Sequence, residues 1–177
     1  GSVSIKNRYN QLGGEKSTLG KSVGFVVCGI RNNGCYQNYQ NGAILWSQST
    51  GAWENYGVIR DRYREMGYEN GILGLPIGAI VCGIKDNGCF QNYESGAIVW
   101  SARSGAHESY GGIRLRWQQF GVENGGLGYP TSNVVCGLKD GGCYQNYQVG
   151  AILWSPASGA WESYGAIRPR YGQTGFE

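Results

Sequence analysis

The sequence predicts a mainly β repeat protein in which short helices alternate with small antiparallel sheets. The stretch 27–57 returns at Val81 and again at Val135, with no insertion or deletion between the copies. The period is therefore 54 residues, the step from Val81 to Val135. A fixed period of this length is typical of repeat architectures, in which each unit buries its apolar face against its neighbour.

A short helix is expected at the start of each unit. Ile5, Tyr9 and Leu12 stand at i, i+4 and i+7, on one face of a helix, and Gly13 follows where a helix would end. The pattern restarts at Ile167, which indicates an additional partial helix that caps the third unit or continues a longer array. We thus treat residues 1–177 as a single repeat domain. Its parts are repeat 1 at 5–58, repeat 2 at 59–112, repeat 3 at 113–166 and a partial capping helix at 167–177.

Four strands are expected after each helix. In the first unit they are Phe25–Ile30, Cys35–Gln40, Ala43–Ser47 and Ala52–Tyr56, and they are separated by turn-forming residues such as Asn41-Gly42. A four-stranded meander of this size is too small to be stable alone. We therefore expect the units to stack or to close into a propeller-like array.

The six cysteines form three pairs with the spacing C-x6-C, and each pair brackets a turn. Because every unit carries its own pair, the repeat favours three local disulfides over the other pairings that six cysteines allow. The pairs are Cys28/Cys35, Cys82/Cys89 and Cys136/Cys143. Free thiols and a zinc site are the alternatives, but the spacing is wider than in common zinc sites and His107 is the only histidine. Three bridges predict an oxidising, extracytoplasmic location.

Composition excludes several classes of function. Charged residues make up 15% of the chain and the net charge is +3, which is too mild to indicate nucleic-acid binding. No apolar run approaches the length of a membrane span. The aromatic content of 13% is enough for both a packed core and a contact surface. No cofactor is expected.

Two motifs identify the chain as similar to a known family. L-G-L-P stands at 73–76 and L-G-Y-P at 127–130, and a longer pattern, Y-x-x-G-A-I-x-W-S, follows in each unit. Together they resemble the LGFP repeat, a tandem unit of secreted actinobacterial cell-envelope proteins. The resemblance covers essentially the whole chain. It implies a module that tethers a carrier protein to cell-wall polysaccharide, such as arabinogalactan or peptidoglycan.

The sequence departs from the family pattern at three places. Ser22 replaces the motif proline in the first unit, so a less rigid turn is expected there. The motif aromatic is Lys21, Leu75 or Tyr129, never phenylalanine. The cysteine pairs are an addition to the general motif.

Enzyme activity is not expected, because the one histidine has no nucleophile motif around it. The acidic candidates Glu54, Glu108 and Glu162 recur in every unit, whereas catalysis normally requires one asymmetric pocket. Arginines recur as well, at Arg8, Arg62 and Arg116. We expect one Arg–Glu pair per unit to join helix to sheet; the alternative is that the arginines bind an anionic polymer.

The repeated tryptophans Trp46, Trp100 and Trp154 and the repeated tyrosines Tyr39, Tyr93 and Tyr147 are expected to pack in the core. When the three repeats are aligned, another column contains Trp53, His107 and Trp161. Because this position accepts both an indole and an imidazole, we expect it to be partly exposed and to stack on a sugar ring. The ligand-binding candidates are Trp53, Tyr56, Gln37, Asn38, His107, Tyr110, Gln91, Asn92, Trp161, Tyr164, Gln145 and Asn146. Amides provide both donors and acceptors for hydroxyl-rich ligands, although they also satisfy turn backbones.

The sequence thus predicts a secreted, disulfide-stapled, non-catalytic module that binds cell-envelope polysaccharide and anchors or targets a larger protein. The alternative is a protein-interaction or inhibitory module that uses the same aromatic surface.

Overall fold

The computed structural model describes residues 1–165, and the predicted capping helix at 167–177 lies outside these residues. The described part contains three α-helices and twelve strands. The helices are α1 (Ser2–Leu12), α2 (Gly57–Glu65) and α3 (Gly111–Gln119). The strands of repeat 1 are β1 (Ser22–Ile30), β2 (Gly34–Tyr39), β3 (Gly42–Ser47) and β4 (Gly51–Tyr56). Those of repeat 2 are β5 (Val81–Ile84), β6 (Gly88–Tyr93), β7 (Gly96–Ser101) and β8 (Gly105–Tyr110). Those of repeat 3 are β9 (Val135–Cys136), β10 (Cys143–Tyr147), β11 (Gly150–Ser155) and β12 (Gly159–Ser163).

The strands form three four-stranded antiparallel sheets in which each strand pairs with its neighbours in sequence. The predicted unit of one helix and a four-stranded meander is therefore confirmed. Closure into a propeller-like array stays a prediction. The described chain divides into two compact units, one of Gly1–Cys82 with Cys89–Ile98 and one of Gly83–Gly88 together with the described residues from Val99 onward.

The three local disulfides are confirmed, and none of the six cysteines is free. In the first sheet, Cys28 on β1 lies directly opposite Cys35 on β2, and Cys136 faces Cys143 in the same way in the third sheet. Each bridge therefore joins two strands at the point where the chain turns back.

The second bridge joins Cys82 on β5 to Cys89 on β6, and its two Cα atoms are 4.1 Å apart. Both cysteines belong to the first compact unit, although the turn between them, Gly83–Gly88, is grouped with the second. The predicted repeat boundaries at 58 and 112 therefore do not coincide with this division. Cys89 also differs from its equivalent in the first repeat, since Cys89 is half-buried whereas Cys35 is buried in the first core.

The first sheet uses its two faces differently. Cys35, Tyr39 and Ile44 lie on one face and pack against Ile5 of α1 and Leu19. Because side chains alternate along a strand, the residues between them lie on the second face. Register places Tyr36 beside Leu45, and Leu45 beside Trp53. The predicted core tyrosines are buried, and Trp46 is partly buried against this first core.

The first strand of each repeat is shorter in the two repeats whose motif contains proline. β1 is nine residues long and starts at Ser22, which pairs with Tyr39. Pro76 and Pro130 occupy the same column in the other repeats and form only isolated bridges, to Tyr93 and Tyr147. Proline has no N–H to donate to a ladder, so the strand is interrupted after it. No helix among residues 1–165 is long and apolar enough to cross a membrane.

Candidate functional site

The rings of Trp53, His107 and Trp161 are each fixed to the hairpin turn before them. The indole Nε1 of Trp53 donates to the carbonyl of Thr50 at 2.6 Å, and Trp161 makes the same bond to the residue three positions earlier. The Nε2 of His107 lies 2.7 Å from the carbonyl of Ser104. The imidazole therefore replaces the hydrogen bond of the indole. This explains why the column accepts both rings.

An arginine covers the indole in the first and third repeats. The guanidinium carbon of Arg8 lies 5.0 Å from the ring centroid of Trp53, and that of Arg116 lies 5.1 Å from the ring of Trp161. This is cation–π geometry, in which the positive charge is attracted to the negative face of the ring. One face of each indole is thus occupied by an arginine.

The same two arginines pair with carboxylates. The Nε of Arg8 donates to Glu54 at 2.8 Å, and the Nε of Arg116 donates to Glu162 at 2.6 Å. The Arg116 hydrogen bond holds the pKa of Glu162 below its ordinary value, and the same bond raises the pKa of Arg116. The expected link from helix to sheet is therefore confirmed in the first and third repeats. We call these groups, Trp53/Arg8/Glu54 and Trp161/Arg116/Glu162, the Trp–Arg–Glu clusters.

The aromatic candidates differ in exposure. Trp161 is 58% exposed and Tyr164 is 47% exposed, and the ring of Tyr164 lies edge-on to Phe120. The half-buried candidates are Trp53, Tyr56, His107 and Tyr110. Tyr56 packs against the first core, and burial raises its pKa. Among these aromatic side chains, Trp161 and Tyr164 are thus the most open to a ligand.

His107 is engaged at both ring nitrogens. Besides the contact to Ser104, its Nδ1 lies 2.8 Å from the side-chain oxygen of Asn133. In the preceding repeat the residue equivalent to Asn133 is Ala79, so the change from tryptophan to histidine is accompanied by a new polar neighbour. The imidazole is therefore held by polar contacts within the fold.

The three repeated glutamines are buried, and their amides bind the backbone. The Nε2 of Gln91 donates to the carbonyls of Glu54 at 2.6 Å and Gly78 at 2.9 Å. Gln145 makes the equivalent pair of bonds one repeat later, and Gln37 on β2 donates to the carbonyls of Val23 and Gly24 on the neighbouring strand β1. These bonds explain why every repeat has a glutamine at this position, and the explanation requires no ligand. Gln37, Gln91 and Gln145 are therefore not part of an accessible surface.

Asn55 makes a further contact between the first two repeats, and no pattern in the sequence predicts this role. Its amide donates to Gln91 and to the hydroxyl of Tyr93, both at 3.0 Å. The same column contains Ser109 and Ser163, whose buried hydroxyls have no hydrogen-bond partner among residues 1–165. A column that changes from asparagine to serine does not stand out in a single sequence.

The repeated glutamates also connect consecutive repeats. The Oε1 of Glu54 accepts a hydrogen bond from the backbone N–H of Ile80 at 3.2 Å, and Glu108 accepts one from Val134 at 2.7 Å. Glu54 and Glu108 are almost fully buried. These carboxylates therefore have a structural role that explains their repetition.

The cysteines act as bridge partners and not as metal ligands. The sulfur of Cys89 is bonded to that of Cys82, and the other two pairs are bonded in the same way, so no thiolate is left to bind zinc. Within the described chain, no group of three histidine, cysteine or acidic side chains is arranged to hold a metal ion. The alternatives of free thiols and a zinc site are thus both wrong for these six residues.

The asparagine candidates lie on the sheets and are half-buried; they are Asn38, Asn92 and Asn146. Asn38 borders a cavity of about 220 Å³ in the first compact unit. The cavity is lined by Tyr36, Asn38, Ala43, Leu45, Arg60, Tyr68 and Glu69. A smaller cavity of about 110 Å³ lies in the second compact unit and is bordered by Tyr110, Val134 and Trp154. Sequence reasoning identified Asn38 and Tyr110 but not their neighbours.

The Leu-Gly pair of each repeat has a defined role in folding. Leu19, Leu73 and Leu127 are buried, and each following glycine has a positive φ, 72° at Gly20. An aromatic residue of the preceding helix donates to the carbonyl of that glycine, as Tyr9 does to Gly20 at 2.7 Å. Tyr63 and Trp117 make the same bond in the other repeats. The motif therefore attaches each helix to its sheet.

Comparison with known proteins agrees with this interpretation of the motif. No curated protein compared with the chain is similar to it. The family model for the LGFP repeat matches three consecutive segments, residues 19–71, 73–125 and 127–177. The chain consequently belongs to the LGFP repeat family, a non-catalytic repeat family.

Proposed function

We propose that the chain is a non-catalytic module that binds cell-envelope polysaccharide and anchors or targets a larger protein. The observation that carries the proposal is the Trp–Arg–Glu cluster, which occurs twice with nearly the same geometry. A surface that is repeated along one chain suits a ligand that is itself repeated. A polymer of sugars is such a ligand.

The chemistry of the cluster suits a sugar. An indole presents a flat apolar face to the C–H groups of a sugar ring, and a guanidinium donates hydrogen bonds to hydroxyl oxygens. The indole of Trp161 is fixed by its bond to the turn and by Arg116, so it loses little conformational freedom on binding. Each contact is weak, but a polymer that engages two clusters gains from the high effective concentration of the second.

The contacts of the acidic residues support a non-catalytic role. Glu54 is ion-paired to Arg8 and also binds the N–H of Ile80, so both of its oxygens are engaged. Both nitrogens of His107 are engaged as well. A general acid or base must reach its substrate within hydrogen-bond distance, and these groups are directed into the fold.

We further propose that the module acts outside the cytoplasm, at the cell wall. The support is the three disulfides, since such bridges persist in oxidising compartments. The cell-wall location itself rests on the resemblance to secreted members of the family.

A protein partner is the second candidate, and a specific surface favours it. Val23, Phe25 and Val27 on β1 are exposed, and Phe25 is 91% exposed. Large exposed apolar side chains grouped on one strand are typical of interaction surfaces. If a protein is the main partner, replacement of Phe25 by serine should abolish a tight, saturable one-to-one complex and leave polysaccharide retention unchanged.

The test of the main proposal is retention on insoluble polysaccharide. Trp53→Ala and Trp161→Ala should each weaken retention, and the double variant should weaken it more than either. Leu115→Ala is the matched control, because Leu115 is a large apolar side chain that is 63% exposed and lies outside both clusters. Circular dichroism checks folding. Parent-like retention of the folded double variant would show that the clusters are not the contact.

A further inference from the structure

The cavity in the first compact unit combines an apolar floor with polar walls. Ala43 and Leu45 of β3 are buried and form the floor, and Tyr36 and Asn38 of β2 stand beside them on the second face of the sheet. Arg60 of α2 forms part of the opposite wall, together with the turn after the helix. This mixture of an apolar floor and a few polar groups is typical of small-molecule sites.

Several polar groups of the wall have no partner among residues 1–165. The side-chain amide of Asn38 and the hydroxyls of Tyr36 and Tyr68 make no hydrogen bond there, and the carboxylate of Glu69 makes none either. Arg60 donates from Nη1 to the side-chain oxygen of Asn55 at 3.1 Å. The cavity therefore offers donors and acceptors that a ligand could satisfy.

Tyr68 reaches the cavity from an unfavourable backbone conformation. Its φ is 54°, in the left-handed region that few residues other than glycine adopt without strain. The equivalent residue of the first repeat is Gly14, with φ 60°. The ring of Tyr68 lies 5.0 Å from the guanidinium carbon of Arg60 and edge-on to Tyr63. Backbone strain of this kind often marks a functional position.

Size and charge narrow the class of ligand. At about 220 Å³ the cavity is smaller than the roughly 300–1,000 Å³ of pockets for drug-sized molecules, so it suits one ring rather than an oligosaccharide. Arg60 and Glu69 bring opposite charges to the same wall, so the site favours neither an anion nor a cation. Amide, hydroxyl, guanidinium and carboxylate groups together match the mixed donors and acceptors of a neutral polyol.

We propose that this cavity is a monosaccharide subsite, which holds one neutral sugar residue of the polymer against Tyr68. The proposal rests on the polysaccharide-binding function and deepens it. Trp53 lies on the same face of the first sheet, next to Leu45 of the cavity floor. A chain that stacks on Trp53 can therefore place a terminal or branching sugar in the cavity.

The test is an NMR titration of the isotope-labelled chain with methyl glycosides of glucose, galactose, mannose and arabinose. We expect shifts of the Asn38 side-chain amide and of the Arg60 Nε–H with at least one of these sugars. Tyr68→Gly and Asn38→Ala should each weaken this binding about tenfold, the effect of losing one stacking or hydrogen-bonding group. The control is Val122→Gly, since Val122 has φ 51° in the same column and does not line the cavity.

The outcomes separate the two proposals. Galacturonic acid and glucosamine are titrated in parallel, and shifts with these charged sugars but with none of the neutral ones would overturn the neutral class of ligand. Shifts confined to the indole signals of Trp53 and Trp161 would overturn the subsite and support the polysaccharide-binding function. Unchanged affinity in folded Tyr68→Gly and Asn38→Ala chains would likewise remove the cavity from the contact. If no sugar causes a shift and the parent chain is not retained on the polymer, both proposals are overturned.

Discussion

The ring of Trp161 combines two contacts within the fold with a large exposed surface. The indole of Trp161 donates to a backbone carbonyl, lies under Arg116 and still leaves more than half of its surface exposed. Its edge and one face are fixed by the fold, so under the proposed function the exposed part of the ring is the surface that a sugar would contact. The neighbouring carboxylate, Glu162, keeps the arginine in place.

The pH dependence of this cluster can be predicted from Glu162. Its pKa in the folded chain is lowered from 4.5, chiefly by the hydrogen bond from Arg116. The stabilisation is therefore present above the unfolded value near 4.5 and is lost as the pH falls through the lower folded value. We expect the carboxyl carbon signal of Glu162 to titrate below 4.5, and to return toward 4.5 in Arg116→Gln. An unshifted midpoint in the parent chain would contradict the contact.

Backbone strain gives a second prediction at the scale of the residue. Gly14 has φ 60°, and a Cβ there would meet no side chain closer than 4.0 Å. Gly14→Ala should therefore destabilise the chain by about 1 kcal/mol through the backbone alone. Gly126→Ala is the control, since Gly126 has open space and no positive φ. Denaturant unfolding should show a lower midpoint for Gly14→Ala only.

Buried polar groups join elements of consecutive repeats. In the first unit, Asn55 links β4 to Gln91 and Tyr93 of β6. The equivalent position in the second repeat, Ser109, has a hydroxyl that is buried and unpaired within residues 1–165. An unpaired buried polar group costs stability, and a longer amide could reach the glutamine of the next repeat.

Ser109→Asn is expected to stabilise the chain by about 1 kcal/mol, because it would reproduce the contact that Asn55 makes with Gln91. The amide would then donate to Gln145 and to Tyr147. Ser109→Ala separates the two causes, since it removes the unpaired hydroxyl but adds no bond, and it should stabilise the chain less than Ser109→Asn does. If Ser109→Asn lowers the unfolding midpoint instead, the two repeat junctions are not equivalent.

The disulfides should matter most where the ladder is shortest. β9 contains only Val135 and Cys136, whereas β1 is nine residues long. Replacing Cys136 and Cys143 by alanine should therefore release β9, and its amide hydrogens should exchange at rates close to those of an unfolded chain. The same double change at Cys28 and Cys35 should leave the N-terminal part of β1 protected. Both changes remove a constraint worth about 2–3 kcal/mol in the chain-entropy model.

At the scale of the whole molecule, each compact unit carries one Trp–Arg–Glu cluster. With a net charge of +3 and arginines already paired to glutamates, attraction to a neutral polymer should depend little on salt. We therefore expect retention on neutral polysaccharide to change less than about twofold between roughly 0.05 and 0.5 M NaCl, because a neutral ligand carries no charge whose attraction to the protein salt could screen. A loss of retention at high salt would indicate an anionic ligand instead.

Much of the fold could be predicted from the sequence because its signals are local. The spacing of Ile5, Tyr9 and Leu12 indicated α1, and the turn within each C-x6-C pair indicated the local disulfides. The glutamines could not be interpreted in this way. Gln91 is fully buried between backbone carbonyls, and an amide that binds a carbonyl has the same sequence signature as one that binds a sugar.

The cavity was also beyond sequence reasoning. Tyr68 stands in a column that contains glycine in one repeat and valine in another, and nothing in the letters reveals that all three share a left-handed backbone. Arg60 and Asn38 are far apart in sequence. They line the same cavity because the turn after α2 lies over the second face of the first sheet.

The local disulfides also determine how the chain would respond to a pulling force. Each bridge joins cysteines seven positions apart, so seven residues of each 54-residue repeat cannot extend while the bridge is intact. At roughly 3.5 Å per residue this withholds about 25 Å of contour length per repeat. In single-molecule stretching, a reducing agent should therefore lengthen the unfolded chain by three such increments, and a tether built from these repeats would yield less under load while it remains oxidised.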